Sequence, residues 1–116
     1  MSEGIQRDRK SAYEQVERFI QSRTVNHAEQ MAVRETELKT SLCANGSLTP
    51  KQVNTALKAL GEQEVIQYGS GWITPVISKE YHREAVAYVV ENSTGDVQEF
   101  VSVANQAIAT HDWKDV

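Results

Sequence analysis

Thr49 and Pro50 open the segment that most restricts how this 116-residue chain can fold. Threonine is a good helix N-cap, and proline is preset for the first helical position. Gln52 stands three residues after Thr49, where its amide can reach back to the cap. Val53, Ala56, Leu57 and Leu60 then recur at i, i+3, i+4 and i+7, the spacing of one buried helical stripe, and Gly61 supplies a stop. The opposite face carries Lys51, Thr55 and Lys58, flanked by Gln52, Asn54 and Ala59. A stripe of this kind has to be covered by other elements, so the flanking sequence decides what the helix belongs to.

Upstream, Ala12, Tyr13, Val16, Phe19 and Ile20 share one face of an amphipathic helix expected over residues 8–23. Asn26 and Glu29 have capping-box spacing and suggest a short helical turn at His27. Leu38 and Leu42, one turn apart with Val33 leading in, predict a short helix starting near Glu35, and Ala44-Asn45-Gly46-Ser47 supplies turn chemistry before Thr49. Downstream, Val65-Ile66-Gln67-Tyr68 and Trp72-Ile73-Thr74 are β-prone and joined by Gly69-Ser70-Gly71, which predicts a hairpin with a three-residue connection that Pro75 ends. Ser78 can cap a helix running to about Glu91 with Tyr81, Ala85, Tyr88 and Val89 as its stripe. Asp96 with Glu99 can cap another carrying Val97, Phe100, Val101, Ala104 and Ile108 to about His111. The competing reading of that last stretch is a β-hairpin through residues 87–90 and 100–103. The expected class is mainly α with a small β-hairpin, an α+β arrangement in a single domain over residues 1–116.

Composition narrows the function classes. No apolar run approaches the length of a membrane span, and the first residues lack the apolar stretch of a secretory signal, so a cytoplasmic protein without membrane contact is expected. Cys43 is the only cysteine, which excludes an internal disulfide and is read as a buried, inert thiol. His27, His82 and His111 are dispersed and no metal-ligand spacing, phosphate loop or nucleophile elbow occurs, so neither metal, cofactor nor enzymatic activity is expected. Trp72 reads as hairpin packing and Trp113 as a terminal anchor or an exposed ring. The net charge of −4 is unevenly placed. Nine basic residues stand with seven acidic ones from Met1 to Leu60, whereas three stand with nine from Gly61 onward. That asymmetry permits a basic face on an acidic protein.

Leading helix, short helix, turn, capped helix and glycine-tipped hairpin follow one another in a familiar order. Thr36-Glu37-Leu38-Lys39-Thr40-Ser41-Leu42, then Leu48 to Leu60, then Glu64-Val65-Ile66 and Gly71-Trp72-Ile73-Thr74, resemble the winged-helix superfamily of transcription regulators. The resemblance covers residues 33–76 and leaves residues 8–23 and 78–111 as flanking helices. It implies a winged helix-turn-helix in which the capped helix enters the major groove of duplex DNA. Lys51, Gln52, Asn54, Thr55 and Lys58 would then read the groove while Arg34 and Lys39 contact phosphate. It also implies a homodimer, for which Tyr13, Val16, Ile20, Phe100, Val101, Ala104 and Ile108 are the interface candidates; the alternative is that these residues cover their own core. The sequence departs from the family at two places. Gln63 and Glu64 stand where a glycine often follows the recognition helix, and the tip Gly69-Ser70-Gly71 carries no cation. The uncharged tip and the acidic second half keep open a second function, a winged fold that binds a protein partner.

Overall fold

The computed structural model describes the backbone of residues 2–24, 30–44 and 48–110, and within these the side chains from Ala12 onward. The turn expected at His27, residues Asn45 to Ser47, His111 and Trp113 lie outside the described residues. The order is α1 (Ser2–Thr24), β1 (Val33–Arg34), α2 (Glu35–Cys43), α3 (Pro50–Glu62), β2 (Ile66–Gly69), β3 (Trp72–Pro75), α4 (Lys79–Asn92) and α5 (Gln98–Thr110). The chain is thus mostly helical with a small three-stranded antiparallel sheet, an α+β arrangement. Among the described residues no helix is long and apolar enough to cross a membrane.

The caps form as their residue types dictate. The Thr49 hydroxyl accepts from the Gln52 N–H at 3.1 Å, and Gln52 Oε1 accepts from the Thr49 N–H at 2.8 Å, closing the capping box. Ser78 Oγ accepts from the Tyr81 N–H at 3.1 Å, and Asp96 Oδ1 from the Gln98 N–H at 2.9 Å. In α3, Val53, Ala56, Leu57 and Leu60 are all buried. Burying a leucine stabilises by about 1.5–3 kcal/mol, against about 1 kcal/mol for a cap, so the stripe holds α3 in place and the cap sets where it begins.

The end of α3 differs from the expectation. The helix runs through Gly61 to Glu62, and the stop is a Schellman turn in which the Val65 N–H reaches Leu60 O at 3.0 Å and the Glu64 N–H reaches Gly61 O at 3.1 Å. The left-handed residue is Glu64, at φ 60°. Gly61 has another role: a Cβ there would stand 2.8 Å from Cε1 of Tyr68, so its missing side chain makes room for that ring.

The sheet order is β1-β3-β2, with Val33 opposite Ile73, Arg34 opposite Trp72, and Gln67 opposite Thr74. The short β1 was not foreseen, because two residues carry no periodicity. The hairpin connection is also tighter than expected. Only Ser70 and Gly71 turn the chain, with φ of 54° and 80°, the pair of positive values that a two-residue type I′ turn needs.

Central strand β3 is buried at all four positions. Ile73, with Val33 and Ile66, joins a core made by Val16 and Ile20 of α1, Leu38 of α2 and the α3 stripe. Trp72, with Ala32, joins a second core with Val89 of α4 and Phe100 and Ala104 of α5. The sheet is therefore a middle layer, with α1 to α3 on one side and the α4–α5 pair on the other. Residues 87–90 and 100–103 are helical, so the competing hairpin does not form.

Replacing Thr49 with alanine is expected to lower the unfolding free energy by about 1 kcal/mol, read as a shifted urea midpoint at unchanged slope. Glu64→Gly should be more stable than Glu64→Ala by about 0.5–1 kcal/mol, because both remove the same side chain and only glycine accepts the left-handed backbone without a Cβ penalty. Equal stability of the two variants would contradict the assigned helix stop.

Candidate nucleic-acid interface

Because the stripe of α3 points inward, the helical period turns Lys51, Thr55 and Lys58 outward, with Asn54 on one flank; all four are exposed and Gln52 is half-buried. Lys51 and Lys58 stand two turns apart, about 10 Å along the axis. The ion pairs among the described residues are Arg23–Glu37 at 3.9 Å and Lys39–Glu35 at 3.4 Å, and neither involves these two lysines. The polar groups between them are not equally available. The Gln52 amide is committed to the Thr49 cap, and the Thr55 hydroxyl donates to Lys51 O at 2.9 Å. Among the described residues, Asn54 is left as the amide without a hydrogen-bond partner. Glu62, one turn beyond Lys58, adds a carboxylate to the same outer face, a contribution that attention to cations alone overlooked.

The two expected phosphate contacts outside α3 are engaged within the chain. The guanidinium of Arg34 lies 4.4 Å from the centroid of the Trp72 ring, and its Nη2 donates to Asn92 O at 3.0 Å, at the end of α4. Lys39 pairs with Glu35 one turn back. An arginine stacked on an indole and bonded to a helix C-terminus already has favourable partners, so moving it to a phosphate gains little.

The hairpin tip is docked as well. Ser70 Oγ accepts from the Phe100 N–H at 3.2 Å, satisfying one of the donors that the first turn of α5 leaves open. At Gly69, a Cβ would sit 3.2 Å from both the Phe100 backbone nitrogen and Cγ of Glu99, so the missing side chain lets α5 approach the strand. The Gly71 carbonyl accepts from the Glu35 N–H at 2.8 Å, which serves the uncapped start of α2. Glu99, whose Cγ is the close neighbour of Gly69, brings an exposed carboxylate to this tip.

No protein family, curated protein or solved structure matches the chain. The functional argument accordingly rests on the residues themselves.

The expected dimer residues divide. Val16, Ile20, Phe100 and Ala104 are between 0% and 1% exposed, packed against their own chain, so for these four the core reading replaces the interface reading. Helical faces that cover the middle sheet have no surface left for a second copy. Tyr13, Val101 and Ile108 are half-buried, the last two aligned on one flank of α5. Tyr13 donates from its hydroxyl to Gln63 Oε1 at 2.6 Å and lines an open cleft of about 550 Å³ between α1 and α3, together with Ala12, Lys51, Gln52, Thr55, Ala56 and Ala59.

Several residues play parts the sequence reading did not assign. His82 is fully buried and shares the inward stripe of α4 with Ala85 and Val89, whereas Tyr81 and Tyr88 are half-buried. Its i, i+3, i+7 relation to Ala85 and Val89 was a readable signal, masked by the usual polarity of histidine. Thr24 and Thr74 are also buried, with hydroxyls donating to Ile20 O and Met31 O at 2.7 and 2.9 Å. Desolvation raises the Tyr81 hydroxyl above its ordinary value, opposed by a hydrogen bond with Thr24. Cys43 is half-buried and packs beside the first core rather than within it.

Gly69→Ala is expected to destabilise by about 1–3 kcal/mol, since backbone on the α5 side must give way. Gly95→Ala, where a Cβ meets nothing within 4 Å, should stay within about 0.5 kcal/mol of the parent. Equal effects of the two in thermal unfolding would contradict a docked tip.

Proposed function

We propose that the chain is a winged helix-turn-helix protein that binds duplex DNA, with α3 as the element that enters the major groove. The observation that carries this reading is the outer face of α3: Lys51 and Lys58, exposed and without ion pairs among the described residues, on either side of Asn54 and Thr55. The order α1-β1-α2-α3-β2-β3 supports it, since a short helix, a firmly capped helix and a twisted hairpin follow one another as in that fold. Lysines would bind phosphates, and Asn54 is the side chain free to address a base edge, where an amide pairs best with adenine.

This binding is of a particular kind. The hairpin tip offers no cation and is held by α5, while Arg34 and Lys39 have partners of their own, so the contact rests on α3 alone. Two phosphate contacts per chain correspond to a fall in log affinity of about 1.8 per tenfold rise in salt, and to weak binding by one copy. A regulator built this way would act as a homodimer on two half-sites, through surface other than the four core residues named above. The half-buried Val101 and Ile108 are the remaining candidates on α5.

The second reading, a winged fold that recognises a protein, is favoured by Glu99 beside the tip, where a phosphate backbone would be repelled.

The test is a fluorescence-anisotropy titration of random and enriched duplexes across a salt series. The parent should bind at low salt, and Lys51→Glu with Lys58→Glu should abolish binding while circular dichroism and the melting temperature stay unchanged, since both side chains are exposed. Binding that survives the double substitution overturns the proposal. Absence of any duplex binding by the parent hands the function to the protein-partner reading.

A further inference from the structure

We infer that the cleft between α1 and α3 binds a small organic carboxylate with an apolar body, and that this ligand competes with duplex DNA; the second clause rests on the function proposed above. At about 550 Å³ the cleft falls within the size range of small-molecule sites. Among its described lining residues Ala12, Ala56 and Ala59 present only methyl groups, and Tyr13 adds an aromatic ring. Unfilled apolar surface of this kind forgoes dispersion contacts that a flat hydrophobic ligand would restore.

The polar groups around the cleft define the rest of the ligand. The Tyr13 hydroxyl donates to Gln63 Oε1, the Thr55 hydroxyl to Lys51 O, and Gln52 closes the helix cap. Lys51 is exposed at the rim and has no ion pair among the described residues. Its four-carbon stem lies along apolar surface while the ammonium can swing over the opening. A ligand with one anionic group and an otherwise apolar surface therefore meets a complementary site. Among the described lining residues Lys51 alone carries a formal charge, so an anionic group gains there what a neutral one does not.

Lys51, Gln52 and Thr55 line this cleft and also belong to the face assigned to the major groove. A carboxylate held by Lys51 neutralises one of the two lysines and places bulk beside the reading helix. Ligand and duplex then exclude each other through a shared residue, without a change of conformation.

The experiment titrates the full chain with 2-naphthoate and, separately, with its neutral isostere naphthalene-2-carboxamide, following backbone amide shifts by NMR. Saturable shifts are expected at Ala12, Tyr13, Ala56 and Ala59, with the carboxylate binding about threefold to fivefold tighter, as for an exposed charge pair. Lys51→Gln should erase that preference, and Ala59→Phe, which fills the cleft from a half-buried helix position, should abolish both interactions. Equal binding of the two probes by the parent, shifts centred elsewhere, or no saturable shift overturns the site. For the competition, saturating 2-naphthoate should weaken duplex binding by the parent and leave that of Ala59→Phe unchanged. Equal weakening in both overturns the coupling, and naphthoate binding by a chain that binds no duplex refutes the DNA reading and leaves the ligand site in place.

Discussion

Strand β3 is buried on both of its faces, and that constraint organises the molecule. A strand with no wet side must be apolar or internally hydrogen-bonded at every position, which Trp72, Ile73, Thr74 and Pro75 satisfy: the Thr74 hydroxyl finds Met31 O, and Pro75 sits at the strand end. One core then forms beneath Ile73 from α1, α2 and α3, and another above Trp72 from α4 and α5. The C-terminal helices are therefore part of the domain, since they cover half of the sheet that positions α3.

The same layering explains the electrostatics of the candidate interface. A hairpin clamped between α2 and α5 cannot also extend as a free arm. Its tip satisfies two helix starts: Ser70 Oγ serves the Phe100 N–H, and the Gly71 carbonyl serves the Glu35 N–H. Arg34, beside the tip, stacks on Trp72 and joins the end of α4. On α3, Lys51 and Lys58 stay exposed. Its two lysines stand against Glu62 on the same face and the carboxylates of the second half, so electrostatic attraction to a polyanion is local and shallow.

Much of the fold was legible. Caps at Thr49, Ser78 and Asp96 act within three residues, and a cap works the same way wherever its helix packs. The stripes of α1 and α3 and the start of α2 at Glu35 follow from period, whereas the pair α4 and α5 was one of two readings, the other being a hairpin through residues 87–90 and 100–103. Two of the failures turn on partners outside the local pattern: Gly61 resembled a stop, but its missing Cβ answers to the Tyr68 ring, seven residues later, and β1 exists only because Val33 and Arg34 find Ile73 and Trp72. His82 failed for another reason, since its place on the face of Ala85 and Val89 is a local signal hidden by the polarity of histidine. The α3 face was partly legible too. Outward direction follows from the buried stripe, whereas the commitment of Arg34 to Trp72 and Asn92, 38 and 58 residues away, has no local signature.

The amino-acid order alone determined where the helices lie, which side of each is apolar and which cations α3 turns outward, because these depend on residues within two helical turns. Tertiary structure decided which polar groups remain available and which apolar faces remain open. Val16, Ile20, Phe100 and Ala104 became core instead of interface, and the hairpin tip became an anchor for α5. Both outcomes arise from the second layer of helices closing over the sheet, a contact between segments far apart in the chain that no local pattern encodes.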